Sequence, residues 1–144
     1  MTRNSRFAVS VHMLSYLAVR SGTAIPSAEI AESVDTNPVV IRRLLSSLTK
    51  ARLVTAQKGA TGGFALASTP ENISLLDVYR AVQPKPDHGL RYFAPNPKCP
   101  VGAKIGSVLQ GVFFKAQAGM EAELGRVTLA AVRAQLHAAS APRR

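Results

Sequence analysis

The chain is poor in cysteine, in acidic residues and in long apolar runs, and each shortage removes a class of protein. Its 144 residues hold one cysteine, Cys99, which leaves no thiol pair for an internal disulfide and too few sulfurs for a thiolate-rich zinc site. A reducing compartment is expected. His12, His88 and His137 stand far apart without the short spacings of metal ligands, so neither a metal nor a cofactor is expected. Only 8 Asp and Glu oppose 18 Lys and Arg, and the formal net charge of +10 points to an anionic partner. No stretch reaches the roughly 18 apolar residues of a membrane span. Arg3 and Arg6 ahead of the apolar Phe7 to Val19 imitate a secretory leader. Ser10, His12 and Ser15 interrupt that run and Arg20 closes it, so a cytoplasmic protein with no membrane partner is expected.

With 47% apolar residues the chain is too hydrophobic to be disordered, and its length suits one domain with a protruding element. Phe7, Val11, Leu14 and Ala18, with Met13 and Leu17 alongside, have helical spacing and a wide apolar face that suits a buried first helix. Pro26-Ser27 opens a second, Ala28 to Val34, with Ser27 as cap. Asp35-Thr36 turns the chain. Asn37-Pro38 then supplies a cap and a first-turn proline for a third helix to about Ala51. Ile41, Leu44, Leu45 and Leu48 share one of its faces, while Arg42, Arg43, Ser46, Ser47 and Lys50 occupy the rest. Leu53 to Gln57 and Phe64 to Ala67 read as strands joined by a basic, glycine-rich tip, Lys58 to Gly63.

Ser74 and Asp77 form a capping box, with Ile73 and Val78 placed as a hydrophobic staple, for a short helix from Leu75 to Val82. Gln83 to Pro100 holds five of the nine prolines and no period, so it reads as a linker. From Val101 an apolar series through Val108, Val112, Met120 and Leu124 continues to near His137. The spacing predicts one helix of ~55 Å at ~1.5 Å per residue, too long for this domain to cover, so a second copy is expected over Val108, Val112, Met120 and Leu124. The organisation expected is a helix-turn-helix with a hairpin wing over 1–82, a linker or sensor loop over 83–100, a dimerisation helix over 101–137 and a tail over 138–144.

Helix, helix, turn, helix, hairpin is the order of a winged helix-turn-helix, in which the last helix enters the major groove and the wing meets the backbone. The fold class expected is therefore mainly α with a small β-hairpin wing, and the partner expected is double-stranded DNA. Arginine can pair with a guanine edge, serine can reach phosphate or base, and glycines let main-chain amides approach phosphate. A solvated face is the plainer account of Arg42, Arg43 and Lys50 taken alone, but their place in this ordered set makes them, with Ser46, Ser47 and the tip's Gly59, expected DNA contacts. The glycines of the tip are no nucleotide-binding loop, since no Gly-Lys-Ser/Thr follows and they join two strands, and nothing else suggests an enzyme beyond a remote Cys99 and His88 pair.

Ser5-Arg6-Phe7-Ala8-Val9, Ile30-Ala31-Glu32, Leu44 to Leu48, Leu53-Val54 and Lys58-Gly59-Ala60-Thr61-Gly62-Gly63-Phe64-Ala65-Leu66 together resemble the Rrf2 family of bacterial transcription regulators. Leu75 to Val78 and Cys99-Pro100-Val101-Gly102 are similar too, so the resemblance covers nearly the whole chain. It implies a homodimer whose long helices cross at the interface, and the role expected is that of a DNA-binding repressor. It also implies DNA contacts by Val39, Arg42, Arg43 and the wing's Lys58, with backbone contacts by Ser5, Arg6 and Ser27. Cluster-sensing members carry further cysteines before the long helix. Cys99 resembles the last of these, but Phe93 and Asp87 stand where the others would be and Gly102 where some members place a further ligand, so an iron–sulfur cluster is not expected. Cys99 is then either a structural thiol or a redox-responsive thiolate favoured by the helix end, Lys98 and Lys104. A small-molecule or redox effector is left open. So is a different role altogether, that of a protein-interaction module docking on a metabolic enzyme or second regulator.

Overall fold

The structure is a computed structural model that describes residues 3–142, with side-chain surroundings from Ser5 onward. It is mainly helical, with a two-stranded antiparallel hairpin, and divides into two compact units. The first contains the chain up to Gln83 together with Leu124 onward; the second runs from Pro84 to Glu123.

In the first unit α1 (Arg3–Val19) is the central helix, with Met13, Leu14, Leu17 and Ala18 buried. It packs on α2 (Ser27–Val34), whose Ile30 and Ala31 are also buried, and on α4 (Leu75–Val82). Ser27 is the first residue of α2 and not its cap, since Pro26 holds the capping position and makes no side-chain bond there. A proline ahead of the helix fixes the extended entry that a capping serine would otherwise stabilise. Asp35, in the left-handed region at φ 54, ends α2, and the Asn37 side chain accepts the Val39 N–H at 2.8 Å to begin α3 (Pro38–Lys50). Strands β1 (Val54–Gln57) and β2 (Gly63–Leu66) pair with Val54 opposite Leu66. Leu53 lies just outside β1, buried, donating to the Leu48 carbonyl and accepting from Ala67, both at 3.0 Å.

The wing is tied to the helices at its base. Ile25 and Phe64 exchange backbone hydrogen bonds of 2.8 Å each way, and a Cβ on Gly63, at φ 155, would meet the Ile25 carbonyl carbon at 2.5 Å. Only glycine permits that approach. The Ser74 and Asp77 capping box at the head of α4 is present in both directions.

The single helix expected over 101–137 is two helices, α5 (Ile105–Arg126) and α6 (Leu129–Ala139). The break has a local and a remote cause. The Thr128 hydroxyl caps Ala131 N–H at 3.1 Å, while Val127 accepts from Leu75 and Leu129 donates to Ile73, forming an antiparallel bridge of Ser74 with Thr128. Hydrogen bonds to residues 73–75 replace the helical ones, and Leu129 becomes fully buried. At 22 residues α5 is ~33 Å long, well short of the ~55 Å expected.

In the second unit the proline-rich stretch has only a short 3-10 turn, Leu90–Tyr92, before α5. The His88 ring stacks on Phe113 at 4.5 Å. No residue of α5 is buried. Among the described residues, no helix is long and apolar enough to cross a membrane.

Candidate nucleic-acid interface

The two faces of α3 do different work. Ile41, Leu44, Leu45 and Leu48 are buried, whereas Val39, Arg42, Arg43, Ser46 and Lys50 are exposed. Val39, Arg42, Arg43 and Ser46 line one shallow surface pocket of about 270 Å³, so four of the expected contact residues are brought together by the turn of a single helix. Val39 is 49% exposed, an apolar side chain presented to solvent between charged neighbours. Ser47 differs from its neighbour: it is half-buried, and its hydroxyl donates to the Arg43 carbonyl at 3.3 Å. That bond turns the hydroxyl back onto its own helix, a common fate of mid-helix serine.

Lys58 and Gly59 are exposed at the wing tip, where Gly59 takes φ 104. A Cβ at Gly62 would lie 2.3 Å from the Gln57 carbonyl oxygen, so the tip closes only with glycine there. At the start of α1, Ser5 is half-buried and Arg6 exposed; Ser27, in the first turn of α2, is half-buried.

From Thr36 to Pro70 there is no acidic residue, while Arg42, Arg43, Lys50, Arg52 and Lys58 all fall inside that span. Arg52, exposed at φ 60 in the turn between α3 and β1, belongs to this set. A basic segment free of carboxylates attracts a polyanion without internal neutralisation.

The second unit holds the lone thiol. Cys99 is exposed and lies in the turn before α5. Asn96 organises the turn, its side chain accepting from Lys98 N–H at 3.0 Å and its carbonyl from Cys99 N–H at 3.2 Å. The backbone N–H groups of Gly102 and then Val101 donate to the sulfur and hold the Cys99 pKa below the usual thiol value. Turn amides therefore do the work assigned above to lysine charge. On α5, Val108, Val112 and Met120 are exposed at 57%, 57% and 41%, while Leu124, placed in the same stripe by its spacing, is half-buried by its own chain.

Residues 3–135 match the family model described as Rrf2, iron-dependent transcriptional regulator. A protein of Bacillus subtilis (strain 168) named "Putative HTH-type transcriptional regulator YwnA" is 46% identical over 126 residues, 88% of this chain and 92% of that one. A crystal structure described as a DNA binding protein is 43% identical with a TM-score of 0.70, covering 88% of this chain and 97% of that chain. That of a transcriptional regulator from Lactobacillus plantarum is 30% identical with a TM-score of 0.82, covering 92% and 89%. The donor set for the iron in the family description does not fit. There is one thiol, no group of three or more His, Cys, Asp or Glu among the described residues could hold a metal, and a Cβ at position 102 would lie 2.4 Å from the Asn96 carbonyl oxygen. A ligating side chain at 102 would force the turn open.

Proposed function

The chain belongs to the Rrf2 family of transcriptional regulators and is not an enzyme, and from that premise we propose that it is a cytoplasmic homodimeric repressor that binds operator DNA. The observation that carries this reading is the exposed cluster of Val39, Arg42, Arg43 and Ser46 on α3, backed by the buried Ile41, Leu44, Leu45 and Leu48. A rigid helix presenting two guanidinium groups and a small apolar contact suits the major groove. Lys58 and the glycine tip suit phosphate, and Lys50, Arg52, Ser5, Arg6 and Ser27 supply further backbone contacts. The relatives' descriptions as helix-turn-helix and DNA-binding proteins support the same partner.

The dimer follows from α5. Its Val108, Val112 and Met120, four and eight residues apart, lie about one and two turns apart along one stripe that the chain itself leaves uncovered, and a second α5 is the matching surface. Cys99 supplies a thiol-redox response, because it is exposed and its sulfur accepts two backbone amides that favour the thiolate.

Footprinting on genomic DNA with the purified protein tests the reading. Protected near-palindromes with half-sites about one helical turn apart are expected. Arg42→Ala or Arg43→Ala should cost about 1–3 kcal/mol at such a site and relax base preference, whereas Lys58→Ala should weaken all duplexes and lower the salt slope. No protected sites, with tight binding to a protein partner instead, would replace the reading with a protein-docking role.

A further inference from the structure

Within the winged unit, α6 lies on α1 and on the 3-10 turn Pro70–Asn72, and a cleft opens along that seam. One half, of about 390 Å³, is lined by Val11, Val19, Val132 and Leu136 with the rings of His12 and Tyr16. The adjoining half, of about 640 Å³, is lined by Glu71, Arg133, His137 and Ser140. Ser15, Val19 and Leu136 line both. These volumes are those of small-ligand sites.

Two observations point to an occupant. Ser15 is only 7% exposed, and its hydroxyl has no hydrogen-bond partner although it sits at the junction of the two halves. Buried hydroxyls are normally satisfied, and a helical serine can use its own backbone; this one does not. Glu71 and Arg133 line the same half, yet among the described residues neither has a side-chain partner. A carboxylate, a guanidinium, a free hydroxyl and an aliphatic recess make a set with a definite complement.

We propose that the α1/α6 cleft is an effector site for an apolar α-amino acid of the size of leucine to phenylalanine. Its side chain fills the recess of Val11, Val19, Val132 and Leu136, its carboxylate pairs with Arg133, its ammonium with Glu71, and the Ser15 hydroxyl bonds the backbone end. The wall that meets the side chain is also tied to α2: the Tyr16 hydroxyl donates to Glu29 at 2.7 Å, and His12 Nε2 lies 3.2 Å from the Ser33 hydroxyl. Occupancy therefore bears on the helix that precedes α3, a coupling that rests on the DNA-binding reading above.

Titration calorimetry on the intact protein tests the site without DNA. Phenylalanine and leucine should bind saturably, one per chain, and glycine should not. N-acetylphenylalanine lacks the ammonium and phenylalaninamide the carboxylate, so each should bind roughly twofold to fivefold more weakly, the range of a solvent-exposed ion pair. Leu136→Trp, at a position 54% exposed, should fill the recess and abolish binding while leaving the circular dichroism unchanged. No saturable binding, binding that survives Leu136→Trp, or blocked analogues equal to the amino acid would overturn the site. A Leu136→Trp protein that loses its dimer, beside a wild type that binds no amino acid, would make the cleft an interface between copies and overturn it too. In a second arm phenylalanine should change affinity for the footprinted duplex about fivefold or more, and Tyr16→Phe should remove that change. An unchanged duplex affinity with phenylalanine bound overturns the coupling; a protein that binds no duplex at all overturns the DNA-binding reading and leaves the calorimetry standing.

Discussion

The winged unit and the stretch from Pro84 to Glu123 use similar proportions of apolar side chain to opposite ends. Among the described residues, every buried apolar residue lies between Met13 and Val82 or at Leu129. In the second region Val101, Val108, Val112, Phe114 and Met120 stay exposed, and the one ring stack found there joins His88 to Phe113. A helical apolar period thus has two meanings. In α3 it marks a face that its own chain covers, and in α5 a face that its own chain leaves exposed. The difference is made by connection length: short turns return α1 to α4 to one another, while α5 follows a proline-rich stretch that offers little to pack against.

The largest expected effect separates the two regions directly. Leu48→Ala, in the core, should cost about 2–5 kcal/mol and lower the denaturation midpoint at every protein concentration. Val112→Asp should instead lower it only through dissociation, visible by sedimentation and by a stronger concentration dependence. Equal, concentration-independent losses in the two variants would break the comparison.

Glycines sharpen it. Gly63→Ala places a methyl group 2.5 Å from the Ile25 backbone at φ 155 and should cost about 1–3 kcal/mol in thermal unfolding. Gly111→Ala in α5 meets open space and should stabilise the chain by about 0.5–1 kcal/mol through helix propensity. Weakened dimerisation in that variant would instead make Gly111 a contact of the partner helix. Between these falls Ser74→Ala, which removes the capping box of α4 and should cost about 1 kcal/mol.

The smallest effect concerns Cys99, whose pKa is lowered in the folded turn by the Gly102 and Val101 amides. Because the folded value lies below the unfolded one, the thiolate favours the folded turn above the ordinary thiol range, and that preference is lost as pH falls through the lowered value. Alkylation of native protein should show its midpoint at lower pH than alkylation of the denatured chain. Identical profiles would leave Cys99 an ordinary surface thiol.

Most of the winged unit could be read from short-range signals. Asn37-Pro38, the Ser74 and Asp77 box, and the glycines between two β-prone runs each fix a boundary within a few residues. The break at Val127–Thr128 could not, because Leu124, Val127 and Ala131 keep helical steps across it and the cause lies in bonds to residues 73–75. With the break invisible, the α1/α6 cleft was invisible as well. At the candidate interface residue type and spacing identified Arg42, Arg43 and Lys58, but whether a serine hydroxyl faces outward depends on burial, and so Ser46 and Ser47 part company only in three dimensions. The amides around Cys99 are similarly the product of a turn that closes on Asn96.

The pairing of Ser74 with Thr128 also sets an order of events during synthesis. The winged unit is discontinuous in the chain, and its fully buried Leu129 is translated after the whole Pro84 to Glu123 excursion. At roughly 5–20 residues per second, the 46 residues from Pro84 through Leu129 take about 2–9 s to emerge after Gln83. For that interval Ile73 and Val78 belong to a core without its last side chain, and nascent-chain force or protection measurements should find its final consolidation only once Leu129 has cleared the ribosome.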